Sequence, residues 1–329
     1  MFHKTWDITT CKRSAAVLFY TQSNINHKDE SAMKKYLLLL LLLSAACLSA
    51  AEKKIMTIGN SFASSLRRDL PEIVAAQGDK LVIGYANHGG CSIQRHWKYV
   101  CEEEADPAVK HYRYRNRKMK LREMLAAEKW DIVTVQQWSS LSWVEGSFYP
   151  ELDNLIAYIR KHAPGAEIVL QQTWAYRIDS PRLKSWNITQ QQMHEKIRLN
   201  YLEASKKYGF RVIPSGLAVE LARAKQPVKF VPVDKRVVKK AAPGSVIDQP
   251  GSLINGWVWR KDRKTGKEKF SCDTIHLNNR GEYLQCCVWY GLIYGKSPRD
   301  IKYQGRDLTP ADAAMLRECA AEALEKWGK

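Results

Sequence analysis

Two short clusters near opposite ends of the chain hold the side chains best suited to chemistry. The first, Gly59-Asn60-Ser61, ends the apolar run Ile55 to Ile58 and precedes a stretch with Leu66, Leu70, Ile73 and Val74 at helical spacing. A serine in the turn between a buried strand and a helix has its hydroxyl held out at the sheet's carboxyl end, beside the N–H groups and positive dipole of the helix N-terminus. Asn60 and Ser61 are also good helix N-caps, and the turn alone favours a cap over a nucleophile. The second cluster, Asp273-Thr-Ile-His276, shifts that balance. Its spacing lets the carboxylate reach the ring N–H, fixing the tautomer and supporting the imidazolium formed when His276 takes a proton from a serine. A serine, a histidine and an oriented aspartate are the parts of acyl transfer.

The elements that must position these groups alternate between strand and helix. Strands are expected at 55–58, 80–86, 130–135, 167–170 and 210–214, and helices at 64–77, 121–129, 150–162, 188–208, 216–224 and 280–294. Five strands separated by helices give an α/β fold: a three-layer α/β/α sandwich on a parallel sheet with right-handed crossovers. Residues 92–117 read as a polar excursion containing His96, Trp97 and Tyr99. The Lys-, Pro- and Gly-rich stretch 226–270 reads as a long loop inserted just before Asp273, carrying Trp257 and Trp259. A capped helix, with Thr309 and then Pro310, closes the chain.

Together these residues resemble the SGNH (GDSL-type) hydrolase superfamily, in particular a bacterial branch opening with Gly-Asn-Ser-Phe. The resemblance spans nearly everything after residue 53 and implies a flavodoxin-like order of the five-stranded sheet. Ser61 matches the nucleophile, with Asn60 where the superfamily usually has Asp. Gly90, in Gly89-Gly-Cys-Ser92, matches the glycine whose N–H lines the oxyanion hole. Asp273 and His276 match the terminal Asp-x-x-His. The third block departs: Val135-Gln-Gln-Trp-Ser-Ser140 stands where Gly-x-Asn-Asp is usual. Gln137 is the candidate replacement donor, with Ser139 and Ser140 as alternatives. The implied activity is hydrolysis of O-acyl esters, acetyl above all, on carbohydrate, with no metal or organic cofactor. Trp174 and Trp257 are the candidate sugar-facing aromatics, although packing is an equal use for the inserted loop's tryptophans. A non-catalytic carbohydrate- or polyanion-binding protein on the same fold is the competing expectation.

Residues 33–51 read as a secretory signal: Met33-Lys-Lys-Tyr, then Leu37 to Leu43, then a small-residue run ending at Ala51. Its apolar core is too short for a stable membrane span. Cleavage is expected near Ala50 or Ala51, residues 1–32 are expected to lie upstream of the true start, and lipid attachment at Cys47 is the weaker alternative. The exported remainder, 52–329, is long enough for a single α/β domain. After residue 50 there remain 46 Lys/Arg against 31 Asp/Glu, an excess of +15. No nucleic-acid-binding module accompanies the basic runs, so an acidic polysaccharide or a merely solvated surface accounts for them better. Six cysteines follow the leader. Cys91 and Cys272, flanking the two site blocks, are the first expected pair, with buried free thiols as the competing reading.

Overall fold

The computed structural model describes residues 50–329 apart from 243 and 263, so the expectations for the leader lie outside the described residues. Residues 51–329 form one compact unit. Its centre is a five-stranded sheet in the order β2-β1-β5-β6-β7, made of β1 (Glu52–Gly59), β2 (Lys80–Asn87), β5 (Ile132–Val135), β6 (Glu167–Gln171) and β7 (Val212–Ile213). Every pairing is parallel. All four residues of β5 are buried, the pattern of a central strand covered on both faces.

This order makes the chain cross in one direction from β1 to β2 and in the other from β2 back to β5. Right-handed crossovers in opposite directions put their helices on opposite faces. One layer contains α2 (Leu66–Ala76), α8 (Ser215–Lys225), α10 (Asn279–Tyr294) and α11 (Pro310–Lys326), which pack on one another. The other contains α3 (Ile93–Ala105), α4 (Leu121–Ala126) and α5 (Glu151–His162). The strand order reverses between β1 and β5, the position at which open α/β sheets bind ligands beyond the carboxyl ends of their strands.

Two expectations change. Residues 93–105 are a helix rather than a polar excursion, capped by Ser92, whose hydroxyl accepts from Arg95 N. Its buried face is Ile93, His96, Val100 and Glu103, and the two polar members disguise the helical period. The hairpin of β3 (Tyr112–Tyr114) and β4 (Arg117–Met119) follows it. The inserted stretch is likewise not a plain loop. It holds α9 (Lys235–Lys240) and β8 (Ile254–Lys261), and β8 pairs antiparallel with β9 (Glu268–Leu277), the strand bearing Asp273 and His276. Between β6 and β7 lie α6 (Pro181–Ser185) and α7 (Gln190–Tyr208). Among the described residues, no helix is long and apolar enough to cross a membrane.

Candidate active site

β1 ends at Gly59, and Asn60 turns the chain into the four-residue helix α1 (Ser61–Ser64). Asn60 does cap this helix, its Oδ1 accepting from Phe62 N at 3.1 Å. The same side chain ties two other segments to the turn. Its Nδ2 donates to Cys91 O at 3.0 Å, and Gln136 Nε2 donates to its Oδ1 at 2.7 Å. One amide thereby docks the loop after β2 and the end of β5 beside Ser61. Behind the turn, Phe62 O accepts from Ser65 Oγ at 2.7 Å, Gln285 Nε2 at 2.8 Å and Gln171 Nε2 at 3.3 Å. Gly59 O lies 2.9 Å from Nε2 of His96, whose Nδ1 is 3.0 Å from Tyr112 Oη. Burial lowers the His96 pKa to about 4, so the ring is neutral at physiological pH: Nε2–H donates to Gly59 and Nδ1 accepts from the tyrosine.

Ser61 Oγ lies 2.8 Å from His276 Nε2, and His276 Nδ1 lies 3.0 Å from Asp273 Oδ2. In a regular strand, side chains three residues apart point to opposite faces. β9 escapes this rule through a bulge. Ile254 pairs with Leu277 and Gly256 with Asp273, so a single residue of β8 faces three of β9. Gly256 has φ +69°, and a Cβ there would lie 1.9 Å from Gln249 Oε1 and 2.0 Å from Arg177 Nη1, so a larger residue is strained and must displace both side chains. The loop after β6 pins the bulge: Trp174 Nε1 donates to Ile275 O at 2.9 Å and Arg177 N to Thr274 O at 3.0 Å.

Asp273 accepts from the backbone N–H groups of Ile275 and His276 at 3.1 and 3.0 Å, and from Arg260 Nη2 at 2.5 Å. Burial pushes its pKa upward, but the hydrogen bonds from His276 and the Arg260 guanidinium outweigh burial and hold the carboxyl well below the usual range. Ser61, Ser64, Asn255, Arg260, His276 and Glu282 line an open cavity of about 320 Å³. Burial raises Glu282 to about 7 despite the nearby Arg68. The tautomer this geometry favours carries its proton on Nδ1, facing Asp273, and leaves the Nε2 lone pair for the serine O–H.

Several sequence expectations are corrected here. Gln137 is not a free donor. Its Nε2 donates to Ser147 O at 2.7 Å and Gln94 Oε1 at 3.3 Å, while its Oε1 accepts from Ile93 N at 3.0 Å and Trp138 N at 2.8 Å. With every position used and the residue buried, it braces the loops behind the site. Ser139 and Ser140 are committed too, their hydroxyls 2.8 and 3.1 Å from Tyr176 Oη. Trp174 is 1 % exposed and stacks flat on Phe62 at 3.8 Å between ring centroids, so it supports the Ser61 turn instead of meeting sugar. Trp257 pairs across the hairpin with Cys272 and stacks on Phe270, on the face opposite Asp273, outside the cavity. Cys91 and Cys272 are free thiols, as are the other four cysteines of the described residues. Cys272 Sγ sits against the Arg177 guanidinium at 3.4 Å, and burial pushes the Cys91 thiol up to about 12, leaving it protonated.

Gly90 has φ +61° in the loop that Asn60 holds, and no described residue accepts from the N–H groups of Ser61 or Gly90. Arg260, Gln136 and Gln285 had not been singled out from the sequence. Gln136 stands in the third block itself, whereas nothing local marks Arg260, which reaches Asp273 only through the hairpin register.

Fold and site define an α/β/α protein with a Ser–His–Asp chain of hydrogen bonds at the switch point of its sheet. The chain belongs to the family described as Domain of unknown function (DUF4886), matched over residues 54–240. A crystal structure of a DUF4886 family protein from Bacteroides uniformis is 24 % identical, covers 84 % of this chain and 96 % of its own, and superposes with a TM-score of 0.65, which shows the shared fold. Weaker likenesses are to a protein from Slackia heliotrinireducens proposed to be an SGNH hydrolase (16 % identity, 73 % and 97 % covered, TM-score 0.46) and to a lipase/acylhydrolase from Enterococcus faecalis (15 %, 74 % and 96 %, 0.41). No curated protein matches the sequence.

Proposed function

We propose that the protein is a serine ester hydrolase of the SGNH type. The observation that carries this reading is the continuous line Ser61 Oγ to His276 Nε2 to His276 Nδ1 to Asp273, assembled from opposite ends of the chain. His276 Nε2 takes the Ser61 proton as Oγ attacks the ester carbonyl. The tetrahedral oxyanion accepts from the N–H groups of Ser61 and Gly90 and collapses. The bond from carbonyl carbon to the alcohol oxygen breaks, and the alcohol leaves with the proton from His276. Water, deprotonated by the same ring, then hydrolyses the acyl-serine.

The substrate within this reading is a short O-acyl ester, such as an acetyl group, carried by a carbohydrate. Polar residues around Ser61 suit a hydroxyl-rich alcohol better than a lipid chain, and the basic surface suits an acidic polysaccharide. The protein is further proposed to be exported, with residues 33–51 as its signal and residues 1–32 upstream of its start. N-terminal sequencing of secreted material should then begin near Ala51 or Glu52; an intact residue 1 or a lipid-modified Cys47 would refute it.

The deciding experiment is a fluorophosphonate label with peptide mapping. Ser61 should take the label, and Ser61→Ala should lose both label and hydrolysis of aryl acetates, with a melting temperature close to wild type. A wild-type protein that binds carbohydrate but takes no label at Ser61 would instead be a binding protein on this fold.

A further inference from the structure

The segment after β5 is tied to the Ser61 turn through Gln136 and Asn60, and its side-chain donors can be followed one at a time. Gln136 Nε2 is held by Asn60 Oδ1. Both Gln137 amide protons are used, as are the hydroxyls of Ser139 and Ser140. One donor is left. Trp138 Nε1–H meets no acceptor among the described residues, and Trp138 is only part-buried. The indole edge is next to Gly90: a Cβ added to Gly90 would lie 3.6 Å from Trp138 Nε1. The Gly90 loop is in turn fastened to the Ser61 turn through Asn60 and Cys91. The main chain of Trp138 is fastened, its N donating to Gln137 Oε1 and its O accepting from Leu141 N and Ser142 N, each at 2.8 Å.

Building on the acyl-transfer reading above, we propose that the indole N–H of Trp138 is the third oxyanion donor of this site, beside the backbone N–H groups of Ser61 and Gly90. An indole N–H only donates, carries no lone pair to repel a developing oxyanion, and is fixed in the plane of its ring. Gln137 then acts one step back, because its Oε1 fixes the main chain from which the indole projects. Such a donor acts as charge develops on the carbonyl oxygen, and its loss falls on turnover more than on substrate binding.

Trp138→Phe keeps most of the ring and removes the N–H. On an aryl acetate its kcat should fall roughly a hundredfold with KM within about twofold, as for loss of a single oxyanion donor. Ser61 should still take the fluorophosphonate label, more slowly, and the melting temperature should stay near wild type. Incorporating β-(3-benzothienyl)alanine at position 138, which replaces the N–H by sulfur in a ring of the same shape, should reproduce the loss even if the phenylalanine variant folds poorly. Wild-type kcat in either variant overturns the proposal. So does a fall in kcat that is matched by a fall in melting temperature and a rise in KM, which marks a packing role. If wild-type Ser61 takes no label, the acyl-transfer reading itself fails and this inference falls with it; a labelled, active wild type beside fully active variants removes Trp138 alone.

Discussion

Asp273 gathers four partners on one carboxylate: the His276 ring, two backbone N–H groups and Arg260. Because its pKa is depressed, the stability it adds is present above the ordinary carboxylate range and is lost only in strong acid, as pH falls through the folded value. It is therefore ionised wherever His276 can act as a base. Asp273→Asn should present an amide to Nδ1, favour the wrong tautomer and, on the proposed acyl-transfer reading, lower kcat by about 10⁴-fold, as when the triad aspartate of a serine protease is replaced, with Ser61 still in place. A near-normal rate in that variant would remove Asp273 from the chemistry. Glu282 behaves in the opposite way. Its folded pKa is raised to about 7, mainly by burial, so its neutral form is preferred and stability falls as pH rises from the ordinary glutamate range through 7. Glu282→Gln carries no such penalty. The melting temperature of the variant minus that of wild type should grow between pH 5 and pH 8, and parallel curves would refute the assignment.

At the scale of elements, the β8–β9 hairpin decides whether Asp273 and His276 can meet. Its bulge places Gly256 at φ +69°, where any side chain is strained and would push Gln249 and Arg177 aside. Gly256→Ala should destabilise the hairpin by about 1–3 kcal/mol and lower turnover more than tenfold, because the displaced residues are Gln249 and Arg177, which hold the bulge from behind. Unchanged kinetics would mean that the register is fixed elsewhere. Gln137→Ala tests the loops on the other side of Ser61. Removing this buried amide strands the N–H groups of Ile93 and Trp138 and should cost about 2 kcal/mol or more of stability, read as a lower denaturation midpoint. Retained stability in that variant would contradict the bracing role.

On the scale of the whole molecule, the sheet begins where the leader is expected to end. Lys80 N donates to Ala51 O at 2.9 Å, and Ala51 N donates to Asp79 Oδ1 at 3.0 Å. Asp79 is also paired with Lys296 at the far end of α10, so the first strand and the last third of the chain are fastened at one point. A protein starting at Ala51 should unfold in a single transition monitored by circular dichroism and keep the Ser61 label. Two separated transitions, or loss of the label, would show that residues before 51 help to hold the fold.

The strand–helix alternation, the Gly-Asn-Ser turn and the Asp-x-x-His pair were legible because each is a local pattern, set by side-chain period or by spacing within a few residues. The fold class follows from the alternation, whereas the meeting of Ser61 with His276 was an expectation from the resemblance to the SGNH hydrolases, and the 2.8 Å contact is a fact of the tertiary structure. Other features depended on contacts that no local pattern encodes. Gln137 is spent on Ser147 and Ile93, Trp174 on Ile275 and Phe62, and the cysteines stay apart because their neighbours place them so. Helix α3 hid behind buried His96 and Glu103, polar residues that the core accepts only because Gly59 O, Tyr112 and the backbone of Leu121 satisfy them. Residue type shows what a side chain is able to donate or accept. Only the tertiary structure decides which of those capacities are already used, because the partners come from distant parts of the chain; within residues 136–140 it leaves the indole N–H of Trp138 unspent.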